Sequence, residues 1–331
     1  MMSRRSLTAA VAAVALLLGS ATGAPAARVV ENLFSAKLLD ADHGWVVGAF
    51  GVVYRTTDGG STWTPQETPT LDDLFAIDFA SVDRGVAVGE AGTVLRTEDG
   101  GATWTKVDAG TDRNLFTVAF ATPDHVWAAG DWGALLESTD GGASWKDRTL
   151  KDDIVLTDIA WADERRGALV GEFGSVRVTD DGGATWRPSE VGTDKTLFGV
   201  DFTSATDAWV VGMDGLILRT QDGGETWELQ RGERQSSSLA ELGALEALRN
   251  PGLYDVSFSD DYGYVVGDIG MMLVSSDGGE TWDEHQLPEE MALFWLRGVS
   301  AAPGNHAVVA GANGLTARFD EDEVRLHKGD G

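Results

Sequence analysis

Short apolar runs separated by glycine- and aspartate-rich turns make up most of the chain after its N-terminal segment. Examples are Leu74–Phe79, Gly85–Val88, Thr93–Arg96 and Thr103–Val107. Runs of this length, rich in β-branched and aromatic residues and bounded by turn residues, are typical of β-strands. No stretch of the repeating part shows a sustained 3.6-residue apolar period. The pattern therefore predicts an all-β protein built from short antiparallel strands.

The same group of four runs recurs along the chain, marked by three motifs in a fixed order. The first motif is an Asp-Gly-Gly box followed by tryptophan. Its aspartates are Asp58, Asp99, Asp140, Asp181 and Asp222, spaced 41 residues apart, and then Asp277 after a gap of 55. The second is a Gly-x-x-Gly pair, which occurs seven times from Gly48 to Gly314. The third is an aromatic-rich opening strand, which begins at Leu33, Leu74, Leu115, Leu156, Leu197, Leu253 and Phe294. Three ordered motifs at a fixed period indicate a repeat array.

Four antiparallel strands in about 41 residues are the unit of a β-propeller blade. Seven units predict a seven-bladed β-propeller of four-stranded antiparallel blades over residues 28–331, because a closed ring removes the exposed edges of the array. The first unit, 33–66, is complete. The last has only weak strand character in Val324–His327. The sequence therefore does not show how the ring is sealed.

The gap of 55 residues places one insertion at about 231–252. Ser238 and Glu241 form a capping box, and Asn250-Pro251-Gly252 is a helix stop. Between them lies an apolar stripe made of Leu239, Leu242, Leu245 and Leu248. We expect one short helical insertion here, on the same face as the Gly-x-x-Gly turns. Leu239 and Leu242 are candidate contacts either for a partner or for the blades themselves.

The N-terminal segment, residues 1–27, has the features of a secretory signal peptide. Arg4 and Arg5 precede an apolar run that is too short to span a membrane, and Ala24-Pro25-Ala26 is a cleavage site of the small-residue type. We expect cleavage after Ala26 or Ala27. The mature protein is then expected to be exported to the periplasm.

Charge and composition exclude several classes of function. The 331 residues include 53 Asp and Glu against 25 Lys and Arg, with a net charge of −28 and no cysteine. A chain this acidic repels phosphates, so no nucleic-acid partner is expected. The absence of cysteine excludes disulfides and thiol chemistry. The five histidines have no metal-ligand spacing. No metal, cofactor or membrane-spanning segment is expected, and the protein is expected to be a monomer.

The Asp-Gly-Gly boxes have a structural explanation. Glycines between two apolar strands accept the positive φ angles of a tight hairpin, and the aspartate carboxylate accepts N–H and O–H donors within its own turn. The tryptophan that follows, such as Trp63, then packs on the neighbouring sheet. We interpret Asp58, Asp99, Asp140, Asp181, Asp222 and Asp277 as structural residues.

The boxes resemble the Asp-box repeats of bacterial neuraminidases. The full unit, such as residues 45–60, is most similar to that of the photosystem II stability and assembly factor family, and the similarity covers nearly the whole mature chain. The resemblance implies a seven-bladed propeller that acts as a non-enzymatic binding scaffold. It also implies a protein partner, a membrane protein or complex subunit whose assembly or stability it assists. The propeller would act from the periplasmic side, or from the thylakoid lumen if the organism is photosynthetic.

The same resemblance implies a patch of arginines on the propeller. Four arginines share one register, four residues after the second glycine of the pair. Arg177 lies one place earlier, and Glu137 and Val274 interrupt the series. These candidates are Arg55, Arg96, Arg219 and Arg318.

The Gly-x-x-Gly turns and the loops between blades should share one face, because both lie at the same ends of the strands. Five of the seven turns carry a carboxylate, and several carry a large apolar side chain. The candidate partner-binding residues of the turns are Phe50, Glu90, Asp131, Trp132, Glu172, Phe173, Asp214 and Asp268. An acidic rim with aromatic side chains fits a partner with basic loops.

The alternative is an Asp-box glycoside hydrolase, sialidase-like, or a carbohydrate-binding propeller. A sialidase needs an arginine cluster, a tyrosine nucleophile and acidic helpers. The tyrosines Tyr54, Tyr254, Tyr262 and Tyr264 read as strand or turn residues, and no Arg-Ile-Pro motif is present. No catalytic residue is assigned from the sequence.

Overall fold

Each unit of the repeat folds into one four-stranded antiparallel sheet, whose strands pair in chain order. The computed structural model describes residues 31–234, 250–320 and 323–327. The predicted signal peptide, residues 1–27, and most of the predicted helical insertion, with Leu239 and Leu242, lie outside the described residues.

The first four blades have the following strands. Blade 1 contains β1 (Leu33–Leu38), β2 (Gly44–Gly48), β3 (Val53–Thr56) and β4 (Thr64–Gln66). Blade 2 contains β5 (Leu74–Phe79), β6 (Gly85–Gly89), β7 (Val94–Thr97) and β8 (Thr105–Val107). Blade 3 contains β9 (Leu115–Phe120), β10 (Val126–Gly130), β11 (Leu135–Ser138) and β12 (Lys146–Asp147). Blade 4 contains β13 (Leu156–Trp161), β14 (Gly167–Gly171), β15 (Val176–Thr179) and β16 (Arg187–Ser189).

The remaining three blades repeat the arrangement. Blade 5 contains β17 (Leu197–Phe202), β18 (Ala208–Gly212), β19 (Ile217–Thr220) and β20 (Glu228–Arg231). Blade 6 contains β21 (Leu253–Ser259), β22 (Tyr262–Gly267), β23 (Met272–Ser275) and β24 (Asp283–Glu284). Blade 7 contains β25 (Leu296–Ala302), β26 (His306–Gly311), β27 (Thr316–Asp320) and β28 (Glu323–His327). Among the described residues the helices are short 3-10 turns, seven at the Gly-x-x-Gly motifs and one at Glu289–Met291.

The innermost strand of each blade contacts the innermost strand of the next, and β25 contacts β1 in the same way. The sheets therefore form a closed seven-bladed β-propeller, as the repeat predicted. Among the described residues no strand is exchanged between the first and last units, since the strands of blade 1 all lie within 33–66 and those of blade 7 all lie within 296–327. This answers the question that the sequence left open.

Some predicted strand bounds need correction. In blade 2 the third strand begins at Val94 rather than Thr93, and the fourth begins at Thr105 because Thr103 is bound by the carboxylate of Asp99. The opening strand of blade 7 begins at Leu296 rather than Phe294, since Leu296 pairs with Gly311 as Leu33 pairs with Gly48. The weak final segment does form a strand, β28, paired along all of β27.

The core lies between the blades, where side chains of two neighbouring sheets interdigitate. Trp45 of blade 1 is fully buried and stacks on Phe79 of blade 2, with ring centroids 3.5 Å apart. Trp127 and Trp209 lie in equivalent places, packed on the Asp-Gly-Gly box of the next blade, and are also buried. Burying each such side chain contributes about 1.5–3 kcal/mol. The tryptophans before the glycine pairs are therefore core residues.

The Asp-Gly-Gly boxes close the β3–β4 type hairpins by local hydrogen bonds. The Asp58 carboxylate accepts the backbone N–H and the hydroxyl of Thr62, at 2.8 and 2.7 Å, and the hydroxyl of Thr56 at 2.8 Å. The same three contacts recur at Asp99, Asp140, Asp181, Asp222 and Asp277. Because these donors bind the charged form, the hydroxyl of Ser144 first among them, the pKa of Asp140 falls to about 2.

The box also ties one blade to its neighbour, because the preceding blade packs on its glycines. Gly183 has a φ of 85°, and a Cβ there would lie 2.4 Å from the ring of Trp127. The arginine register serves the same purpose. Arg96 Nε donates to the carbonyl of Gly141 in the next box at 2.8 Å, and Arg318 Nη1 donates to the carbonyl of Asp58 at 2.8 Å.

The four arginines that the family resemblance singled out do not gather into one patch. Arg55 lies over Trp45 and against Gly100, Arg96 reaches blade 3, and Arg219 pairs with Glu280 of blade 6. Arg318 spans the seam between blades 7 and 1. Each therefore lies at a different interface between blades, on the side of the boxes, and supports the ring.

Carboxylates on the innermost strands join neighbouring blades around the central channel. Asp201 accepts the N–H of Phe202 with one oxygen and the N–H of Phe258, in the next blade, with the other at 2.7 Å. Asp78, Asp158 and Asp255 make the same bridge to Phe120, Val200 and Val299. At the seam, Ser300 accepts the N–H of Leu38 at 2.9 Å. These side chains satisfy N–H groups on strand edges that would otherwise lack a partner.

The seam between blades 7 and 1 is closed by the same kinds of contact as other interfaces, an arginine bound to the next box and a side-chain bridge between innermost strands, so it should be no weaker than they are. We expect Arg318→Ala and Arg96→Ala to lower the free energy of unfolding by similar amounts, about 1.5–3 kcal/mol each, because each removes a charge-assisted hydrogen bond to the next box. Urea unfolding followed by tryptophan fluorescence measures both. Arg187→Ala, on an exposed outer strand, is the control and should change stability by less than about 1 kcal/mol. A much larger loss for Arg318→Ala alone would contradict an equivalent seam.

Candidate functional site

The Gly-x-x-Gly turns all have the same backbone and lie on the face opposite the boxes. Each joins the second and third strands of a blade, and its second middle residue adopts a left-handed conformation, with φ between 48° and 58°. The turns are held from the next blade. The Phe50 N–H donates to the carboxylate of Asp73 at 2.9 Å, and the Ala91 N–H donates to the amide oxygen of Asn114 at 3.0 Å. The predicted sharing of one face by the turns and the inter-blade loops is therefore correct.

Large apolar side chains occupy several of these left-handed positions and extend into solvent. Phe50, Trp132 and Phe173 are 68%, 62% and 70% exposed. Glycine, asparagine and aspartate fit this conformation best, and blades 5 and 7 do use Asp214 and Asn313 there. A bulky residue costs about 1–2 kcal/mol in this conformation and gains nothing from burial. The fold does not require these aromatic side chains.

The carboxylates of the turns differ in their surroundings. Asp214 pairs with Lys195, whose Nζ lies 3.1 Å away, and Asp268 accepts the hydroxyl of Tyr254 at 2.8 Å. Glu172 accepts the N–H of Val155. Among the described residues, Glu90 and Asp131 have no such partner. The rim carboxylates of blades 4 to 6 therefore have partners within the chain, of which only Lys195 is charged. Those of blades 2 and 3 are free to meet an external donor.

A groove of about 760 Å³ lies beside the turn of blade 4. Phe173 and Glu172 form one wall, and the loop after β16 forms another. Arg177, which is paired with Asp152, and Arg234 border it. The groove places an exposed ring, carboxylates and two cations within one concave surface.

The central channel opens on the same face and is ringed by aromatic side chains. Phe34, Phe75 and Phe116 follow one another around the mouth, with ring centroids 5.8 and 5.3 Å apart. Phe198 and Tyr254 continue the ring on the other side, with centroids 5.2 Å apart. We call these five residues the collar. The sequence contained the signal, a Leu-Phe pair opening four of the seven units, but strand periodicity alone did not separate channel positions from core positions.

The channel holds about 520 Å³, and its wall carries more acid than base. Asp78, Asp158, Asp201 and Asp255 line it, together with Lys37 and Arg297. Burial raises the pKa of Asp158 to about 6 and that of Asp201 to about 7. Burial, followed by the nearby charge of Asp158, raises the pKa of Asp255 well above its usual value. Lys37, paired with Asp78 at 2.8 Å, has its pKa raised by that carboxylate.

The tyrosines do not have the surroundings of a glycosidase nucleophile. Tyr254 has the surroundings most like those of such a nucleophile. Its hydroxyl donates to Asp268, and the guanidinium of Arg297 lies 4.4 Å from its ring centroid. Burial, then the hydrogen bond to Asp268, raises its pKa to about 12, so the phenolate is disfavoured. Only one arginine accompanies it among the described residues that line the channel. Within the described residues no three His, Asp or Glu side chains are placed to hold a metal ion.

Three of the channel carboxyls, Asp158, Asp201 and Asp255, give stability a definite pH dependence. Their folded-state pKa values lie above the unfolded value near 4, so the folded state binds the extra protons, and their stabilising effect is lost as the pH rises from about 4 to about 7. We expect the melting temperature to fall over this range. Asp201→Asn, which cannot ionise, should flatten the fall, as differential scanning calorimetry at a series of pH values will measure. Asp222→Asn is the control. The pKa of Asp222 is lowered to about 2, so its contribution to stability changes only below about pH 4. An unchanged slope in Asp201→Asn would contradict this assignment.

Comparison with known proteins identifies the family. The sequence profile described as photosynthesis system II assembly factor YCF48 matches residues 26–112, 102–155, 150–235 and 186–292. Among curated protein sequences none matches. No helix of the described residues has the length and apolar character needed to cross a membrane.

Solved structures of similar fold include two YCF48 proteins. One, described as YCF48 bound to D1 peptide, is 22% identical, with a TM-score of 0.69 over 89% of this chain and 95% of that one. YCF48 from Cyanidioschyzon merolae is 22% identical, with a TM-score of 0.67 over 89% and 97%. The GH74 xyloglucanase from Xanthomonas campestris is 15% identical, with a TM-score of 0.70, but this chain spans only 55% of it. At these identities the structures share the fold, whereas the profile match covers most of the chain. This chain belongs to the YCF48 photosynthesis system II assembly factor family.

Proposed function

We propose that this protein is an exported, non-enzymatic scaffold that binds a segment of a partner protein on its Gly-x-x-Gly face. The partner would be a membrane protein or a complex subunit, and binding would assist its assembly or stability. The observation that carries the proposal is the set of exposed aromatic side chains held in strained turns, Phe50, Trp132 and Phe173. Exposed rings of this kind are the usual anchors of protein interfaces.

The family and the fold support the same direction. Members of the profile family are described as assembly factors, and one structure of similar fold contains a bound D1 peptide. Side-chain hydrogen bonds join neighbouring blades at every interface. The Gly-x-x-Gly face is therefore preorganised, and binding does not have to pay for ordering it. Glu90 and Asp131, on the same face as the exposed rings, would attract basic groups of the partner and raise the association rate.

A glycoside hydrolase remains the alternative, because GH74 propellers share the fold. That chemistry needs two carboxyl groups placed on either side of a sugar, or a tyrosine with an arginine cluster. The box carboxylates are occupied by their own turns, and the tyrosine nearest to such a site, Tyr254, has a raised pKa. These observations favour the scaffold.

Photo-crosslinking in the native host tests the docking face. A benzoylphenylalanine replacing Trp132 or Phe173 should crosslink to a defined segment of a membrane protein or complex subunit, identified by mass spectrometry. The same group at Ala143 or Ala184, exposed in the boxes of the same blades, should not. Crosslinking to one partner from the box face, with none from the turns, would contradict the proposed face.

Substitution of the strained aromatics separates function from fold. Trp132→Asn and Phe173→Asn should each weaken partner binding at least about tenfold, because each removes an anchor ring. Each should also raise the free energy of unfolding by up to about 1 kcal/mol, since asparagine fits the left-handed conformation. Ala91→Asn, in the turn of blade 2, is the control and should stabilise without weakening binding. Equal binding by all three variants would count against the aromatic anchors.

Export is tested by the N-terminus of the mature protein. We expect the intact mass of protein from the periplasmic or lumenal fraction to correspond to a chain beginning at residue 27 or 28. A full-length chain beginning at Met1 and confined to the cytoplasm would contradict export.

A further inference from the structure

The mouth of the central channel combines an aromatic collar with a wall of carboxylates below it. A partner that docked only on the exposed turns would contact neither. The collar presents aromatic faces, and carboxylates line the wall below it. Asp158 and Asp255 follow the collar positions of their strands by one residue, and Asp78 and Asp201 follow by three. At about 3.3 Å per residue, the acidic wall therefore begins directly beneath the rings and continues for about 10 Å.

We propose that this channel mouth binds the side chain of a lysine or arginine that projects from the partner protein. The inference rests on the proposed function and specifies one contact of the same face. Lysine and arginine side chains have an apolar stem and a charged head. The collar would surround the stem and the carboxylates would receive the ammonium or guanidinium group, at the depth that such a side chain reaches.

The collar already holds one cation of its own. The guanidinium of Arg297 lies 4.4 Å from the ring centroid of Tyr254, which is the distance of a cation–π contact. Deeper in the channel Lys37 pairs with Asp78. The rings of Phe34, Phe75, Phe116 and Phe198 are also at the mouth, where they can contact a side chain that enters. The residues lining the channel include four carboxyl groups and only these two basic groups. The geometry therefore accepts organic cations within the chain itself.

The carboxylates retain the capacity to bind a ligand although they bridge the blades. Asp201 and Asp255 each accept two backbone N–H groups, one on each oxygen. An ionised carboxylate has about four acceptor sites, so each can accept a further donor from the channel. A bound cation would also favour the ionised form of these carboxyls. The bridges to Val200, Phe258 and Val299 place backbone N–H reporters beside the site.

The test uses three blocked amino acids as probes with the full chain, namely the N-acetyl methylamides of lysine, arginine and norleucine. We expect the lysine and arginine probes to shift the amide NMR signals of Val200, Phe258 and Val299 saturably at millimolar concentrations. Norleucine, which has the stem without the charge, should bind at least about tenfold more weakly. Equal binding of norleucine, or no shift at these amides with any probe, would overturn the proposal.

Two variants assign the contact, and one control separates it from the docking proposal. Asp201→Asn with Asp255→Asn should weaken binding of the lysine probe at least about tenfold. Because those residues also bridge blades, Phe116→Leu is a second variant, which keeps apolar bulk but removes a ring face and should weaken binding several-fold. Unchanged binding in Phe116→Leu would contradict the role of the collar.

Trp132→Asn should leave probe binding unchanged. Loss of the partner crosslink with probe binding intact would refute the proposed function alone, whereas a crosslinked partner without probe binding would refute this inference alone.

Discussion

The free edges of the seven innermost strands are the constraint on which the rest of the structure depends. An edge strand carries N–H groups that its own sheet cannot satisfy, and here those edges face a narrow channel where water is limited. The chain meets this constraint with short side chains that reach across to the next blade. Asp78, Asp158, Asp201 and Asp255 each accept an N–H from the neighbouring sheet, and Ser300 does so at the seam. The cost is that burial disfavours the charged forms of Asp158, Asp201 and Asp255.

The two faces of the ring have different physical characters as a result of the repeat. On the box face, carboxylates accept donors within their own turns, and arginines such as Arg96 and Arg318 donate to backbone carbonyls in the box of the next blade. On the turn face, the backbone is equally regular, but bulky side chains stand in conformations that they disfavour and remain exposed. Strain and exposed apolar area together, on a rigid support, are expected where selection acts on binding rather than on stability.

Much of the fold could be predicted from the sequence because the same structural motifs recur in almost every unit. The boxes, the glycine pairs and the tryptophans recur with one spacing, so strand number, order and blade number follow. Strand ends such as that of β25 were misplaced by two residues, since Phe294 continues the apolar run before Leu296 without being part of the ladder. The arginine register is visible in the sequence, but the direction in which its side chains extend could not be predicted from one-dimensional spacing. Only the twist and packing of the blades turn Arg96 and Arg318 toward the next box.

The channel was the part that sequence reasoning did not reveal. Asp158 and Asp201 occur at different positions of their strands, two and four residues after the opening leucine, so no single register marks them. They come together only because the ring brings seven innermost strands around one axis. The exposed rings, by contrast, lie in a recognisable motif, and their exposure follows from the turn. The candidate docking face was therefore accessible from sequence, while the collar and the acidic wall required the closed ring.

Amide hydrogen exchange, measured for the free protein and for its complex with the crosslinked partner, tests the account most directly. A closed rigid ring with docking on the turn face predicts strong protection of the innermost strands in the free protein, including β1 and β25 at the seam. It further predicts that the partner adds protection at the Gly-x-x-Gly turns and leaves the Asp-box turns unchanged. Rapid exchange at the seam, or new protection confined to the boxes, would contradict it.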